Sequence, residues 1–240
     1  MTVNSTTHIV LLGATSGIGL ATARAAALAG ARVTIGSRRA SSVTRALAEL
    51  PDGVRGSAVD ASSTENLARF FDAAGEFDHF AYTAAEPLVG APLADYTVDA
   101  ATAFLGLRLV HALDAVRLAV PHVKRGGSVT LTSGTAAFKG GVGWTLGAAA
   151  SGAMISVVRS LAVELAPIRV NAVAPGVVRS PLWDGMGEAE REDMYRSTGE
   201  SVPLGRVAEV GDVAKAYLAL MDQDYVTGAV SVVDGGTLVA

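Results

Sequence analysis

Gly13, Gly17 and Gly19 are the residues whose type and spacing point most directly to chemistry. They form a Gly-x-x-x-Gly-x-Gly pattern, which follows the apolar run 8–12 and precedes an alanine-rich stretch over residues 20–29. A strand, a glycine turn and a helix present backbone N–H groups and a helix N-terminus to a phosphate. Glycine lets the backbone turn tightly and approach a pyrophosphate without an intervening Cβ. The pattern predicts a dinucleotide site, although an ordinary strand-to-helix turn would also explain the glycines.

The end of the second apolar run, residues 31–37, indicates which dinucleotide to expect. An acidic residue there would accept hydrogen bonds from a ribose 2′-hydroxyl, whereas a 2′-phosphate requires cations. The sequence is Ser37-Arg38-Arg39, without a carboxylate. Arg38 can offer a forked guanidinium to a phosphate and Ser37 can add a hydroxyl. We therefore expect NADP(H) rather than NAD(H); solvated arginines on a surface loop are the alternative.

Short apolar runs alternate with helical patterns along the whole chain. Strands are predicted at residues 8–12, 31–37, 54–59, 79–83, 128–133, 168–174 and 230–233, and helices at 18–28, 42–50, 63–75, 99–123, 147–165 and 207–221. Runs that are apolar on both faces suit a parallel sheet covered by helices on each side. We expect one α/β domain over residues 1–240, a Rossmann-like doubly wound fold of about seven parallel strands.

One segment, residues 180–202, interrupts this alternation. It is rich in Gly, Glu and Met, and it lies beyond the carboxyl end of a predicted strand, where ligands bind in such folds. We predict that it is an irregular insertion that forms a substrate lid. A disordered surface loop is the alternative.

Composition excludes several classes of function. The chain has 240 residues, half of them hydrophobic, and no cysteine, which excludes disulfides, thiolate catalysis and cysteine–zinc sites. The histidine spacing forms no metal motif. A net charge of −4 gives no support for nucleic-acid binding. We find neither a basic leader nor an uninterrupted apolar run of about 18 residues, so we expect no membrane span and a cytoplasmic location.

Several further motifs resemble those of the short-chain dehydrogenase/reductase family, and the resemblance covers nearly the whole chain. Residues 170–176 (VNAVAPG) resemble the family's nicotinamide-contacting segment, and residues 203–206 (PLGR), 227–228 and 234–236 resemble its C-terminal signatures. The resemblance implies a nicotinamide cofactor, a small-molecule substrate of unknown identity, and a homodimer or homotetramer. The cofactor-binding residues expected from the motifs and the resemblance are Gly13, Thr15, Ser16, Gly17, Ile18, Gly19, Ser37, Arg38, Arg39, Asp60, Ala61, Thr83, Ala84, Ala85, Pro175, Gly176, Val178 and Ser180.

Asp60 has two interpretations. It matches the position at which family members contact the adenine amino group. An N-cap for the next helix would explain the same aspartate, although Ser62 or Ser63 could cap that helix instead.

The residues that carry the family's proton chemistry are not matched. That chemistry uses Ser, Tyr and Lys, with an Asn on the preceding helix; the Lys and the nicotinamide ribose lower the pKa of the Tyr, which passes a proton to the substrate oxygen. Ser133 fits the serine position, but the tyrosine position is Leu146, the lysine position is Ala150 and the Asn position is Arg108. No Tyr-x-x-x-Lys pair occurs in the sequence. The family's usual alcohol–ketone mechanism therefore cannot be carried over.

Ser133 and Arg108 are the remaining candidates for catalysis. Arg108 could anchor an anionic substrate or stabilise an oxyanion, or it could brace a subunit interface. His111 could titrate near neutrality, although a surface or interface position is the alternative. Tyr82 is the one phenol that borders the expected nicotinamide pocket.

Three functions remain open. The first is an NADP(H)-dependent oxidoreductase with a non-standard site, acting on a substrate whose reduced form needs no strong acid, such as an activated alkene or an iminium. The second is a non-redox isomerase, dehydratase or cyclase, and the third is a catalytically silent NADP(H)-binding regulator. The retained Pro175-Gly176 favours the first.

Overall fold

The computed structural model describes residues 3–88 and 90–240. Their strands are β1 (His8–Leu12), β2 (Arg32–Ser37), β3 (Arg55–Ala58), β4 (Phe77–Tyr82), β5 (Val123–Thr132), β6 (Arg169–Pro175), β7 (Val178–Arg179), β8 (Ala208–Glu209) and β9 (Val230–Val233). Seven of them form a parallel sheet in the order β3-β2-β1-β4-β5-β6-β9, and β7 pairs with β8. The strand order reverses between β1 and β4, which is where open α/β sheets leave a ligand crevice. The predicted fold class is confirmed.

Eight α-helices lie in the described residues. They are α1 (Gly17–Leu28), α2 (Ala40–Glu49), α3 (Thr64–Ala74), α4 (Val98–Leu105), α5 (His111–Ala119), α6 (Thr145–Glu164), α7 (Glu188–Ser201) and α8 (Val210–Asp222). Residues of α1, α2 and α8 pack on one face of the sheet, and residues of α3, α5 and α6 pack on the other. The sheet is therefore covered on both sides.

The central strand β1 shows why its sequence is apolar throughout. Ile9 and Leu11 belong to one core cluster, and Val10 and Leu12 belong to the cluster on the opposite face. Successive side chains of a strand point to opposite faces, so a strand buried on both faces needs apolar residues at every position. All four side chains are 0–1% exposed.

The predicted helix over residues 99–123 is helical through its middle but is not one regular α-helix. A π-helical turn, Gly106–Val110, separates α4 from α5, and a 3-10 turn, Val120–His122, precedes β5. A π turn holds an extra residue within a helical run, so hydrophobic spacing does not reveal it, and such turns often occur at functional sites. Arg108 lies in this turn.

The prediction that segment 180–202 is irregular is wrong, because most of the segment forms α7. Acidic residues in its first turn favour the positive end of the helix dipole, and Arg196 forms ion pairs with Asp193 and Glu200 on its exposed face. Tyr195 is buried. Because α7 has few apolar residues, its sequence carries little helical periodicity.

Candidate functional site

The glycine turn after β1 has a backbone conformation and surroundings that exclude a side chain at Gly13 and at Gly19. Gly13 has φ +84°, and its N–H donates to Gly36 O at 2.9 Å. A Cβ at Gly13 would lie 2.4 Å from the backbone N of Ala84, and a Cβ at Gly19 would lie 2.4 Å from Thr83 Oγ1. The turn is therefore clamped between the ends of β2 and β4.

The N-terminus of α1 is arranged to receive an anion. Ser16 is the N-cap residue with extended backbone, its side chain makes no cap hydrogen bond, and the first turn holds no acidic residue. Gly17 has φ +54°, and a Cβ there would lie 3.7 Å from the Cβ of Ser180. The first-turn N–H groups thus have no side-chain cap, as phosphate binding requires. Thr15 Oγ1 donates to Ser37 Oγ at 3.0 Å and links the turn to β2.

The arginine at the end of β2 has a carboxylate partner that the local sequence does not predict. Arg38, about half exposed, forms an ion pair with Glu86 from the loop after β4, with 2.9 Å between Nη1 and Oε1. Arg39 is exposed and is the N-cap residue of α2. No local signal could have found Glu86, because it reaches this site through the sheet topology.

Asp60 does not cap the next helix. Its carboxylate accepts hydrogen bonds from Ser62 N at 2.9 Å and Ser62 Oγ at 2.7 Å, which hold the pKa of Asp60 below its ordinary value. Ser63 caps α3 by accepting from Asn66 N at 3.3 Å. The N-cap interpretation of Asp60 is therefore wrong, and an adenine contact from Asp60, beside the buried Ala61, stays a prediction.

The predicted nicotinamide-side residues lie at the same edge of the sheet. Gly176 N donates to Val233 O at 2.9 Å, Val178 is buried in β7, and Thr83 Oγ1 donates to Leu12 O at 3.0 Å. The predicted cofactor residues thus lie at or after the carboxyl ends of β1, β2, β3, β4 and β6. The full set is Gly13, Thr15, Ser16, Gly17, Ile18, Gly19, Ser37, Arg38, Arg39, Asp60, Ala61, Thr83, Ala84, Ala85, Pro175, Gly176, Val178 and Ser180.

Ser133 lies at the end of β5, close to α6. Its N–H donates to Val173 O at 2.8 Å, and its hydroxyl donates to the backbone O of Ser151 at 2.9 Å. On α6, Leu146 is partly buried and Ala150 is 6% exposed. These two positions are apolar and cannot donate or accept a proton.

Arg108 directs its guanidinium to the loop after β4. Its Nη2 donates to Glu86 O at 2.5 Å, and its Cζ lies 4.4 Å from the ring centroid of Phe104. Burial lowers the pKa of Arg108, and Glu86 opposes that shift. Because the ordinary pKa of arginine lies far above neutral pH, the group stays charged and serves as a donor rather than an acid.

The hypothesis that Tyr82 borders the pocket as a usable phenol is wrong. Tyr82 is 2% exposed and its hydroxyl donates to Leu107 O at 2.8 Å, and burial raises its pKa well above the ordinary value. Strand alternation turns its side chain into the core cluster of Phe80 and Leu12. The phenol supports the π turn from below.

Three loops meet above the sheet edge. Leu88 N donates to Leu182 O at 2.8 Å, and Ala91 N donates to Gly143 O at 3.2 Å. Trp144 and Trp183 pack edge to face with 5.8 Å between ring centroids. The segment that contains Leu182 and Trp183 is therefore tied to the loops after β4 and β5.

The described part of the chain holds no cluster of three or more His, Asp or Glu side chains that could bind a metal ion. One described helix, Thr145–Glu164, is long and apolar enough to cross a membrane by length and composition alone. It is α6, which packs against β5 and β6. Covering the sheet accounts for the apolar residues that are buried, which are Ala150, Met154, Ile155 and Val158; Val163 on the same helix is 81% exposed.

Comparison with known proteins gives a consistent result. The model of the family described as enoyl-(acyl carrier protein) reductase matches residues 13–237. The short-chain dehydrogenase/reductase malC of Malbranchea aurantiaca is 31% identical, covering 96% of this chain and 94% of its own. The solved structure of the MalC reductase/Diels-Alderase from the same organism is 28% identical with a TM-score of 0.91, covering 99% of this chain and 98% of its own.

Two further solved structures contain a bound cofactor. A small-chain dehydrogenase in complex with NADPH is 33% identical with a TM-score of 0.87, covering 98% of this chain and 99% of its own. A 3-ketoacyl-(acyl-carrier-protein) reductase from Brucella melitensis complexed with NADH is 26% identical with a TM-score of 0.89, covering 97% and 98%. The chain belongs to the short-chain dehydrogenase/reductase family.

Proposed function

We propose that this protein is an NADP(H)-dependent oxidoreductase whose substrate accepts hydride without a proton from the protein. The observation that carries this proposal is the contrast along one sheet edge: a glycine turn that opens the uncapped helix α1, and two apolar residues, Leu146 and Ala150, at the positions where the family resemblance implies the Tyr and Lys. The NADPH complex of a relative that is 33% identical supports the choice of cofactor.

The cofactor residues fit a 2′-phosphorylated dinucleotide. The uncapped N–H groups of α1 would hold the pyrophosphate, and Arg38 with Ser37 would hold the 2′-phosphate. When bound, NADPH supplies a hydride. Leu146 and Ala150 would present an apolar wall that excludes water. The Ser133 hydroxyl, which donates to Ser151 O in this structure, would turn to donate to a polar group of the substrate.

The absent acid limits the class of substrate. Reduction of a ketone produces an alkoxide, which must take up a proton; reduction of an iminium carbon gives a neutral amine, which needs none. An activated alkene gives a delocalised anion that solvent can protonate. The arrangement therefore favours an iminium or an activated alkene. With the alkene, Arg108 would stabilise the negative charge of the delocalised anion as a fixed donor.

Residues 180–202 are proposed to act as a lid. Their first turn contacts the loop after β4 through Leu182, and Trp183 is buried against Trp144. Lids in such folds close over the crevice and exclude water. Limited proteolysis with and without NADPH tests this role, because a lid should become protected when the cofactor binds.

A homodimer or homotetramer is proposed through α6 and the helical run that carries Arg108. Val163 on α6 is 81% exposed and Val110 in the π turn is 57% exposed, and exposed apolar side chains on adjacent helices suit a second copy. Sedimentation of the wild type and of Val163→Asp tests this assembly. A monomeric wild type would contradict it.

A second candidate function is a non-redox cyclase on the same scaffold. The observation that favours it is the similarity to MalC, a protein described as both a reductase and a Diels-Alderase. A cycloaddition transfers no proton, so it too could proceed at a site without the Tyr and Lys.

The testing experiment has two stages. Titration of nicotinamide fluorescence with NADPH establishes binding, and cofactor oxidation is then measured over matched ketone, iminium and enone substrates. Oxidation with the iminium or enone supports the reductase. Substrate conversion without cofactor oxidation would indicate the cyclase, and binding without any conversion would indicate a regulator.

A further inference from the structure

One residue of the loop after β4, Glu86, contacts both arginines of the site. Its carboxylate lies 2.9 Å from Arg38 Nη1, and its backbone carbonyl accepts from Arg108 Nη2 at 2.5 Å. The loop starts against the glycine turn, since a Cβ at Gly13 would meet Ala84 N at 2.4 Å. Glu86 therefore follows closely after the backbone that packs on the dinucleotide turn.

We propose that Glu86 is a specificity-determining residue, which competes with the cofactor 2′-phosphate for Arg38 and so narrows the preference for NADPH over NADH. This inference rests on the proposed NADP(H) function. A carboxylate is absent from the end of β2, where it would select NADH, but the fold delivers one to the same guanidinium from another strand's loop.

The competition follows from charge and geometry. A guanidinium binds best when its planar fork faces one anion, and Glu86 holds Nη1 of that fork. A 2′-phosphate must displace the carboxylate or bind beside it, where the two negative charges repel each other. A 2′-hydroxyl meets no such cost, because a carboxylate is the group that accepts its hydrogen bond.

Arg108 positions the competing residue. Its bond to Glu86 O fixes the backbone of an exposed loop residue, so the carboxylate reaches Arg38 from a held point. The bidentate capacity of Arg108 is therefore partly used inside the protein. Loss of Arg108 should weaken the competition at Arg38 while leaving the Arg38 side chain itself in place.

The test measures affinity for NADPH and NADH, and for adenosine 2′,5′-bisphosphate and ADP as probes that lack the nicotinamide. Glu86→Gln keeps the side-chain shape and removes the charge. We expect it to tighten NADPH and the bisphosphate by about 2- to 10-fold, because exposed ion pairs contribute modestly. Affinity for NADH and ADP should stay the same or weaken.

Glu49→Gln is the matched control, since Glu49 pairs with Arg24 at 3.7 Å and both are about half exposed. It removes the same charge away from the cofactor edge and should leave all four affinities unchanged. In an Arg38→Ala background, Glu86→Gln should tighten NADPH binding by less than it does in the wild type, because only the repulsion between the carboxylate and the 2′-phosphate is left to relieve; this non-additivity is the signature of a coupled pair. Melting curves of each variant confirm that it folds.

The outcomes separate the two proposals. A wild type that binds no nicotinamide cofactor overturns both. A wild type that binds both cofactors equally, with Glu86→Gln preferring NADPH, contradicts a strict NADP(H) assignment and supports the role of Glu86. A wild type that prefers NADPH, with Glu86→Gln changing NADPH and NADH affinities equally or not at all, supports the cofactor and overturns the role of Glu86.

Discussion

Two regions of the molecule meet at the same sheet edge. One is the first βαβ unit, and the other is α6 together with the helical run that contains Arg108. They differ in whether backbone or side chains would form the site. The first unit would hold its ligand with backbone: Gly13 and Gly19 leave no space for a Cβ, and the first turn of α1 has no side-chain cap. The second region would act through side chains, and there the register implied by the family resemblance gives Leu146 and Ala150 the positions of the family's Tyr and Lys. Backbone-built sites restrict the sequence sterically, whereas a side-chain site can lose its chemistry without loss of the fold.

The largest expected effect is in the backbone-built region. Gly13→Ala places a Cβ against Ala84 N at 2.4 Å and forces a non-glycine residue to φ +84°. Strain and overpacking together should lower the free energy of unfolding by about 2–6 kcal/mol and abolish NADPH binding. Thermal melting and fluorescence titration measure both effects.

Gly211→Ala is the control, because nothing lies within 4 Å of a Cβ there. If Gly13→Ala had the melting temperature and the NADPH affinity of this control, the claim that the glycine turn is sterically restricted would be contradicted.

The next effect concerns the side-chain region. Ser133→Ala removes a hydroxyl at the end of β5 without touching the glycine turn. If the protein turns over an oxidoreductase substrate, kcat should fall about 10²- to 10³-fold, in the range of a lost oriented donor, with NADPH affinity unchanged. A parallel loss of NADPH affinity would mean that the two regions are not separable.

Arg108→Leu should weaken the binding of an anionic or polarised substrate. Arg108→Lys should restore this binding only partly, since a point charge replaces a planar fork. If Arg108 instead braces a subunit interface, Arg108→Leu should dissociate the oligomer, with kinetics changing in step. Sedimentation beside kinetics distinguishes the two roles. An intact, fully active Arg108→Leu oligomer would contradict both.

Lowering the pH tests whether the two regions unfold together. His79 in β4 is 1% exposed, and its Nδ1 lies 2.9 Å from Ser128 Oγ; burial lowers its pKa from 6.5 to about 4. The folded state therefore disfavours the charged ring, so stability is full above pH 6.5 and declines as the pH falls towards 4, by roughly 3 kcal/mol. His79→Gln should flatten this decline in urea titrations.

Because β4 lies between β1 and β5, cofactor binding and lid protection should be lost together in acid. Separate transitions would show that the halves unfold independently.

The smallest effect is at the 2′-phosphate corner. Arg38→Ala should lower the NADPH to NADH affinity ratio by about 10- to 150-fold if the charge-assisted contact is fully formed, and we expect the lower end of that range because Glu86 shares the guanidinium. Paired titrations of NADPH and NADH measure the ratio. An unchanged ratio in Arg38→Ala would remove the basis for the NADP(H) assignment.

How far the sequence predicts the molecule depends on how local each signal is. The strands of the sheet and the glycine turn follow from contiguous apolar runs and glycine spacing, as in β1 and residues 13–19. Glu86 on Arg38 and Tyr82 beneath the π turn depend on strand order and strand facing, which no local pattern specifies. The π turn at Arg108 and the polar helix α7 escape prediction because neither leaves a regular hydrophobic period.

The most direct test of the central claim compares one carbon skeleton in two forms, a ketone and the iminium formed from it with a secondary amine. Both accept hydride at the same carbon, but only the ketone product must take up a proton. With NADPH oxidation followed at saturating cofactor, we predict reduction of the iminium and a ketone rate at least about 10²-fold lower, the typical contribution of a positioned acid. Equal rates, with the ordinary pH dependence of an acid catalyst, would contradict the claim that the acid–base half of this site has been replaced.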